Sequence, residues 1–355
     1  MSNQTPRISS QDHIVANWLF CVAGMVFAMI ILGGVTRLTD SGLSMVEWRP
    51  VTGWLPPLND EEWQRIFNNY RQTPEYIKIN AGMTLAEFKS IFWFEFLHRL
   101  WGRVIGIAYF VPFAYFLLKG WVRGRRALTL FWLLLLGGLQ GGMGWFMVKS
   151  GLVDQPDVSQ YRLAAHLLLA MVIFSWLVWC GLRHRNGPTR IAENVGWLRA
   201  FSRFLVGMIL VTAFSGALVA GLDAGLIYNT FPLMDGDLIP DGLWEMQPPY
   251  LNFFENHTTV QFDHRVLAIA TFVMISVFWG GACHKSPSPT CMRLVHALMA
   301  TACLQVGLGI TTLLLVVPLG YAVMHQAGAV LLLGVATWVA FAMQGSCKEH
   351  AIKSP

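Results

Sequence analysis

Charge is what this sequence has little of. Asp, Glu, Lys and Arg make up 13% of the 355 residues, and the AVILMFWYC set makes up 55%. A soluble domain has about 25% charged and 45–50% apolar residues. With a mean hydropathy of +0.49, the chain cannot cover itself with polar surface, which excludes a soluble globular fold, disorder and an ordinary coiled coil. The net formal charge of +5 is too small for a polyanion footprint, so no nucleic-acid partner is implied. Also missing are a CxxC pair among the six cysteines and an Arg-rich amphipathic leader, so neither a disulfide framework nor a transit peptide is indicated. What remains is a polytopic membrane protein.

Charge-free stretches locate the spans, because a helix needs about 20 apolar residues to cross roughly 30 Å of hydrocarbon. None of the four charged residue types occurs in 14–36, 127–148, 163–182, 204–222 or 266–283. The long stretch 294–347 is interrupted by Pro318 and Gly320 and reads as two spans joined by a tight turn. One more span is needed near 104–118; only 15 residues separate Arg103 from Lys119, so it begins near Phe92. The fold class is therefore all-α, with eight transmembrane helices. Short interfacial helices are expected around Asp60–Tyr70 and Thr84–Ser90, in the outer loop 37–91.

Basic residues fix the orientation. Lys119, Arg123, Arg125 and Arg126 lie in one loop, five arginines lie in 183–203, and Lys285 and Arg293 follow. The stretch 223–260 has no Lys or Arg but six acidic residues. An even number of spans then leaves both termini in the cytoplasm of a bacterial inner membrane.

The two halves resemble each other. Residues 95–99 match 261–265 and 139–144 match 304–309; 39–43 match 222–226 and 162–166 fall against 321–325. The order is kept, and the offsets (166, 165, 183 and 159) drift by loop-sized amounts. Four spans return the chain to its starting side, so the halves read as two pseudo-symmetric four-helix bundles in one orientation. The expected organisation is a tail at 1–13, a bundle at 14–182, a linker at 183–203, a bundle at 204–344 and a tail at 345–355.

Four histidines mark the repeat: His98, His166, His264 and His325. Each falls at the outer end of an even-numbered span, where an ionisable residue is a functional-site candidate. The plainer reading is a hydrogen bond to a neighbouring helix at headgroup level; four at one depth, paired within each half, favour ligands. Two histidines from facing helices can hold one haem iron from both sides. The residues four positions on, and so on the same helix face, are all small: Gly102, Ala170, Ala268 and Ala329. That suits a flat ligand, and no carboxylate or cysteine cluster suggests zinc. Glu95 stands three residues before His98, whereas Gln261 stands before His264. A buried carboxylate beside a porphyrin stabilises developing positive charge or moves protons, which makes the first half the reactive one. The alternative for Glu95 is an ion pair with Arg99 at i+4. Arg99, Arg103 and Arg265 either meet haem propionates or snorkel to the interface.

The stretches Gly33-Gly-Val-Thr-Arg-Leu-Thr-Asp-Ser-Gly-Leu-Ser-Met-Val-Glu-Trp (33–48) and Glu95-Phe-Leu-His-Arg-Leu-Trp-Gly-Arg (95–103), with Asp263-His-Arg and Met324-His-Gln, resemble haem A synthases. The likeness covers about 15–343. It implies oxidation of the C8 methyl of haem O to a formyl group by two successive hydroxylations, giving haem A for terminal oxidases. It implies a haem b cofactor on His264 and His325, the haem O substrate on His98 and His166, and Glu95 as the acidic residue. Some bacterial members carry a cysteine pair in the first outer loop; residues 37–91 contain none, so the sequence resembles the proteobacterial and mitochondrial class. The electron-transfer partner, association with haem O synthase and homo-oligomerisation are left open. The competing classes are a di-haem b-type electron carrier, which leaves its haems unchanged, and a repeat-built transporter, which binds no chromophore.

Overall fold

The structure is a computed structural model and describes residues 8–49, 52–151, 158–187 and 195–346. Parts of the expected tails and linker, and Cys347, lie outside the described residues. The helices are α1 (Ser10–Leu38), α2 (Asp60–Tyr70), α3 (Pro74–Lys78), α4 (Leu85–Leu118), α5 (Gly124–Gly151), α6 (Gln160–Asn186), α7 (Leu198–Gly221), α8 (Asn252–Glu255), α9 (His257–Lys285), α10 (Pro289–Leu314) and α11 (Leu319–Phe341). Among the described residues, eight of them are long and apolar enough to cross a membrane: α1, α4, α5, α6, α7, α9, α10 and α11. The chain is an all-α polytopic membrane protein.

Lipid tails are as apolar as leucine, so the spans associate by close packing at small residues and not by the hydrophobic effect. A Cβ on Gly181 of α6 would stand 2.8 Å from the Phe20 ring of α1, and one on Gly334 of α11 would stand 3.2 Å from Phe174 of α6. At Gly34 of α1 the approach admits Gln326 of α11, whose amide donates to the Ile30 carbonyl at 2.7 Å. Each set of four spans closes in the same order: α1 packs on α4 and α6, with α5 against both; α7 packs on α9 and α11, with α10 against both. The sets meet where α6 packs on α7 and α11, and α11 on α1. Inside α4, Pro112 has no N–H for the Ala108 carbonyl, and the Trp18 indole donates to that oxygen at 2.8 Å.

α4 differs from the span expected from Phe92. Its 34 residues run about 51 Å at 1.5 Å per residue, well beyond the hydrocarbon thickness. The helix expected at Thr84–Ser90 is not separate: Thr84 and Glu87 form a capping box that starts α4 itself. Its first turns present Phe88, Phe92 and Phe96 to α2, where Trp63, Phe67 and Tyr70 complete a buried aromatic cluster. α2 lies where the sequence placed it; the five-residue α3 was not anticipated. The α10–α11 turn also differs: Val316 and Val317 adopt positive φ (62° and 55°), and Pro318 caps α11. Cys21, Cys180, Cys283 and Cys303 are free; Cys291 is disulfide-bonded, against the expectation of unpaired thiols.

Candidate functional site

The long connections 39–84 and 222–256 leave from the ends of α1 and α7, and the four histidines lie at that end of the bundle. His166, His264 and His325 stand six or seven residues into α6, α9 and α11, about 9–11 Å along the axis. His98 lies deeper in α4 by residue count, because α4 starts outside the span. All four are partly buried. His98 and His166 are electrostatic neighbours, and so are His264 and His325. The pairs expected from the sequence are therefore the pairs the fold brings together.

Each imidazole rests on a glycine of an adjacent helix. A Cβ on Gly33 of α1 would stand 3.0 Å from Cε1 of His98, and one on Gly216 of α7 would stand 2.9 Å from Cε1 of His264. The corresponding distances are 3.4 Å from Gly144 of α5 to His166 and 2.8 Å from Gly309 of α10 to His325. A glutamine four residues before each of these last two glycines repeats as well: Gln140 Nε2 donates to the His166 carbonyl and Gln305 Nε2 to the His325 carbonyl, both at 3.0 Å. Each also meets the imidazole of its histidine, at 3.3 Å and 3.2 Å.

Glu95 is buried and fully engaged. Its Oε2 accepts from Ser44 Oγ and from the Met45 N–H, both at 2.7 Å, and its Oε1 pairs with Arg99. All of these bonds go to the 44–48 segment and Arg99, none to His98. The i+4 ion pair set against a chemical role in the sequence reading is thus present. Arg99 also donates to the Met45 and Glu47 carbonyls at 2.9 and 3.0 Å and lies over the Trp48 ring. Arg265 repeats the clamp one half later, donating to the Tyr228 and Thr230 carbonyls at 2.8 and 2.9 Å. Gln261, in the place of Glu95, donates to the Tyr228 carbonyl at 3.0 Å. Arg103 donates to the Arg49 carbonyl at 2.8 Å. These arginines all donate to loop carbonyls.

A family model described as Cytochrome oxidase assembly protein, COX15-CtaA, matches residues 16–337. The Heme A synthase of Nitrosospira multiformis is 51% identical over 327 residues, 92% of each chain. That of Nitrosomonas eutropha is 49% identical over 350 residues, covering 95% of this chain and 97% of its own. That of Paramagnetospirillum magneticum is 51% identical over 328 residues, covering 91% and 92%. The chain belongs to the COX15-CtaA family.

The residues of this COX15-CtaA member fit a haem at each histidine pair. Nδ1 of His98 and of His166 is buried without a hydrogen-bond partner, and the glycines leave room for each ring. Among the described residues no group of three or more His, Cys, Asp and Glu side chains gathers. A porphyrin supplies four equatorial nitrogens and needs only two protein ligands; a protein-only metal cage needs more. Sequence reasoning looked for space on each histidine's own helix and missed the glycines opposite. Their signal lay in the repeat: Gly144 and Gly309 lie inside a matched stretch at the 165 offset, and Gly33 and Gly216 share the 183 offset of another.

Proposed function

We propose that this enzyme converts haem O to haem A, oxidising the C8 methyl to a formyl group by two successive hydroxylations and loss of water from the gem-diol. His98 and His166 hold the haem O iron; His264 and His325 hold a resident haem b. The observation that carries this reading is the fourfold repetition of an imidazole seated on a glycine, two per half, in a chain so similar to proteins named Heme A synthase. When bound, haem b would supply one-electron redox chemistry, its potential tuned by the histidines that would hold it and by their surroundings.

The chain's own contribution is positioning and electrostatics. The first-half histidines fix the substrate macrocycle against α1 and α5, so that its rim faces a set location. Oxidation of a methyl on that rim builds positive or radical character on the porphyrin edge. Glu95 offers a negative charge whose position is fixed in advance by Ser44, Met45 and Arg99, and preorganised charge in a low-dielectric site needs no reorganisation as the reaction proceeds. Gln261 offers none, which supports the first half as the reactive one.

The halves are best read as pseudo-symmetric bundles, 14–182 and 204–344, joined by the linker 183–203. The Arg99 and Arg265 clamps support this, as do Asp40 and Asp223, which both adopt positive φ after the first helix of their half (49° and 51°). Arg37 bridges these two turns, pairing with both aspartates. The basic loops support a topology with both termini in the cytoplasm and the histidines near the periplasmic face. The test is to express the full chain with a supply of haem O, extract the haems and chromatograph them against haem B, O and A standards. Haem A dependent on this chain is expected. Haem O recovered unchanged, with haems bound, identifies an electron carrier and overturns the reading.

A further inference from the structure

The two halves place His98 and His264 on equivalent glycines, but Nδ1 of the two rings meets different chemistry. Ser215 Oγ lies 2.9 Å from Nδ1 of His264. The same hydroxyl donates to the Thr212 carbonyl at 2.7 Å. A serine hydroxyl has one proton, and with that proton on Thr212, Oγ is left as an acceptor. The imidazole must therefore donate from Nδ1. Nε2 is then the lone-pair nitrogen, the form an iron needs.

The 183 offset that relates Gly216 to Gly33 relates Ser215 to Leu32 and Thr212 to Met29. Leu32 has no side-chain acceptor, and Nδ1 of His98 is buried with no partner. The second histidine of each half meets a glutamine amide instead: His325 through Nδ1 on Gln305 and His166 through Nε2 on Gln140, with its Nδ1 buried without a partner. An amide nitrogen only donates, so of the four imidazoles His264 is the one whose Nδ1 lies against a side-chain acceptor.

We propose that Ser215 is a positioning residue that holds His264 in its ligating tautomer and orientation and makes the second-half haem resident, whereas Leu32 at the equivalent place leaves the first-half site exchangeable. This rests on the haem assignment above and deepens it. A metal-bound imidazole whose other N–H is hydrogen-bonded keeps its orientation and is the stronger electron donor, and loss of such a partner costs about 10–100-fold in affinity. A substrate that enters as haem O and leaves as haem A needs a site without that anchor, and a permanent cofactor needs the anchor. One serine in place of one leucine provides the distinction.

The test uses the full-length protein in detergent, purified with its haem. Transfer of haem to excess apomyoglobin is followed by visible absorption, and the low-spin haem signal and midpoint potential are recorded. The wild type should show a slowly transferring haem that is missing in His264→Ala. Ser215→Ala should release that haem about 10–100-fold faster and raise its midpoint potential, because a weaker donor imidazole favours the ferric state less. Ser215→Thr, which keeps the hydroxyl, should restore both. In the opposite direction, Leu32→Ser in the His264→Ala background, loaded with haemin, should slow release from the first-half site about tenfold or more. An unchanged rate and potential in Ser215→Ala, with His264→Ala still losing the slow haem, overturns the role of Ser215 and leaves the haem assignment standing. A slow haem that survives His264→Ala overturns the assignment itself, and the role of Ser215 with it.

Discussion

Replacing Glu95 with glutamine separates the structural work of this side chain from its chemical work. The substitution keeps the shape and removes the charge. The carboxylate of Glu95 accepts from Ser44 Oγ and the Met45 N–H and pairs with Arg99. A glutamine there must point its NH2 at a donor, either Arg99 or the Met45 N–H. Breaking one side of a buried pair costs about 3–5 kcal/mol. Arg99 keeps its bonds to the Met45 and Glu47 carbonyls, and the second half shows a working version of the mutant: Arg265 on two carbonyls with Gln261 donating to one of them. The net cost should therefore fall to about 2–3 kcal/mol, nearer the value of one charged hydrogen bond. At roughly 2–4 °C per kcal/mol, the helical signal in detergent should melt about 4–12 °C lower, and hydrogen exchange should quicken in 41–48. Haem extracted from cells carrying the variant should stop at haem O or the hydroxymethyl form. An unchanged melting point with unchanged exchange refutes the clamp; full conversion to haem A refutes the chemical role.

Burial, with Glu95 and Asp40 nearby, pushes the Glu75 carboxyl up to about 8. The folded state therefore binds more protons than the unfolded one between about pH 4.5 and 8, and stability of the outer cap is fully present at low pH and lost as pH rises through that window. At 1.36 kcal/mol per unit the loss is of order 5 kcal/mol; hydrogen exchange over 60–78 should speed up from pH 5 to 8 and become pH-independent, beyond intrinsic chemistry, in Glu75→Gln. A Cβ at Gly309 would stand 2.8 Å from the His325 ring, whereas at Gly144 the clearance to His166 is 3.4 Å. Gly309→Ala should thus weaken haem retention by about 1–3 kcal/mol, roughly 5–150-fold, and Gly144→Ala should leave haem content within about twofold.

The spans were legible because composition alone sets them: a charge-free run of about 20 residues has few alternatives. Pairing of the histidines was legible through the repeat. What escaped the sequence depends on contacts between segments far apart in the chain. Thr84–Ser90 has the capping and periodicity of a helix start, but only packing of Phe88 and Phe92 on Trp63, Phe67 and Tyr70 shows that it continues into a span. α3 is too short for periodicity to register. The glycines under the imidazoles sit on facing helices, and the partners of Arg99 and Arg265 are backbone carbonyls, which carry no residue identity to read. The contrast between Ser215 and Leu32 was written in the sequence, one position before the matched glycines, and gained meaning only once Ser215 was seen at Nδ1 of His264.

The division of labour between the two histidine pairs is the centre of the account, and haem content across four single variants tests it most directly. Each histidine in turn is changed to alanine in the full chain, and the extracted haems are separated by chromatography beside a visible spectrum of the purified protein. His264→Ala and His325→Ala should lose haem B and its low-spin spectrum; His98→Ala and His166→Ala should keep haem B and lose haem O and haem A. Haem B lost from the first-half variants and retained in the second-half ones would contradict the assignment.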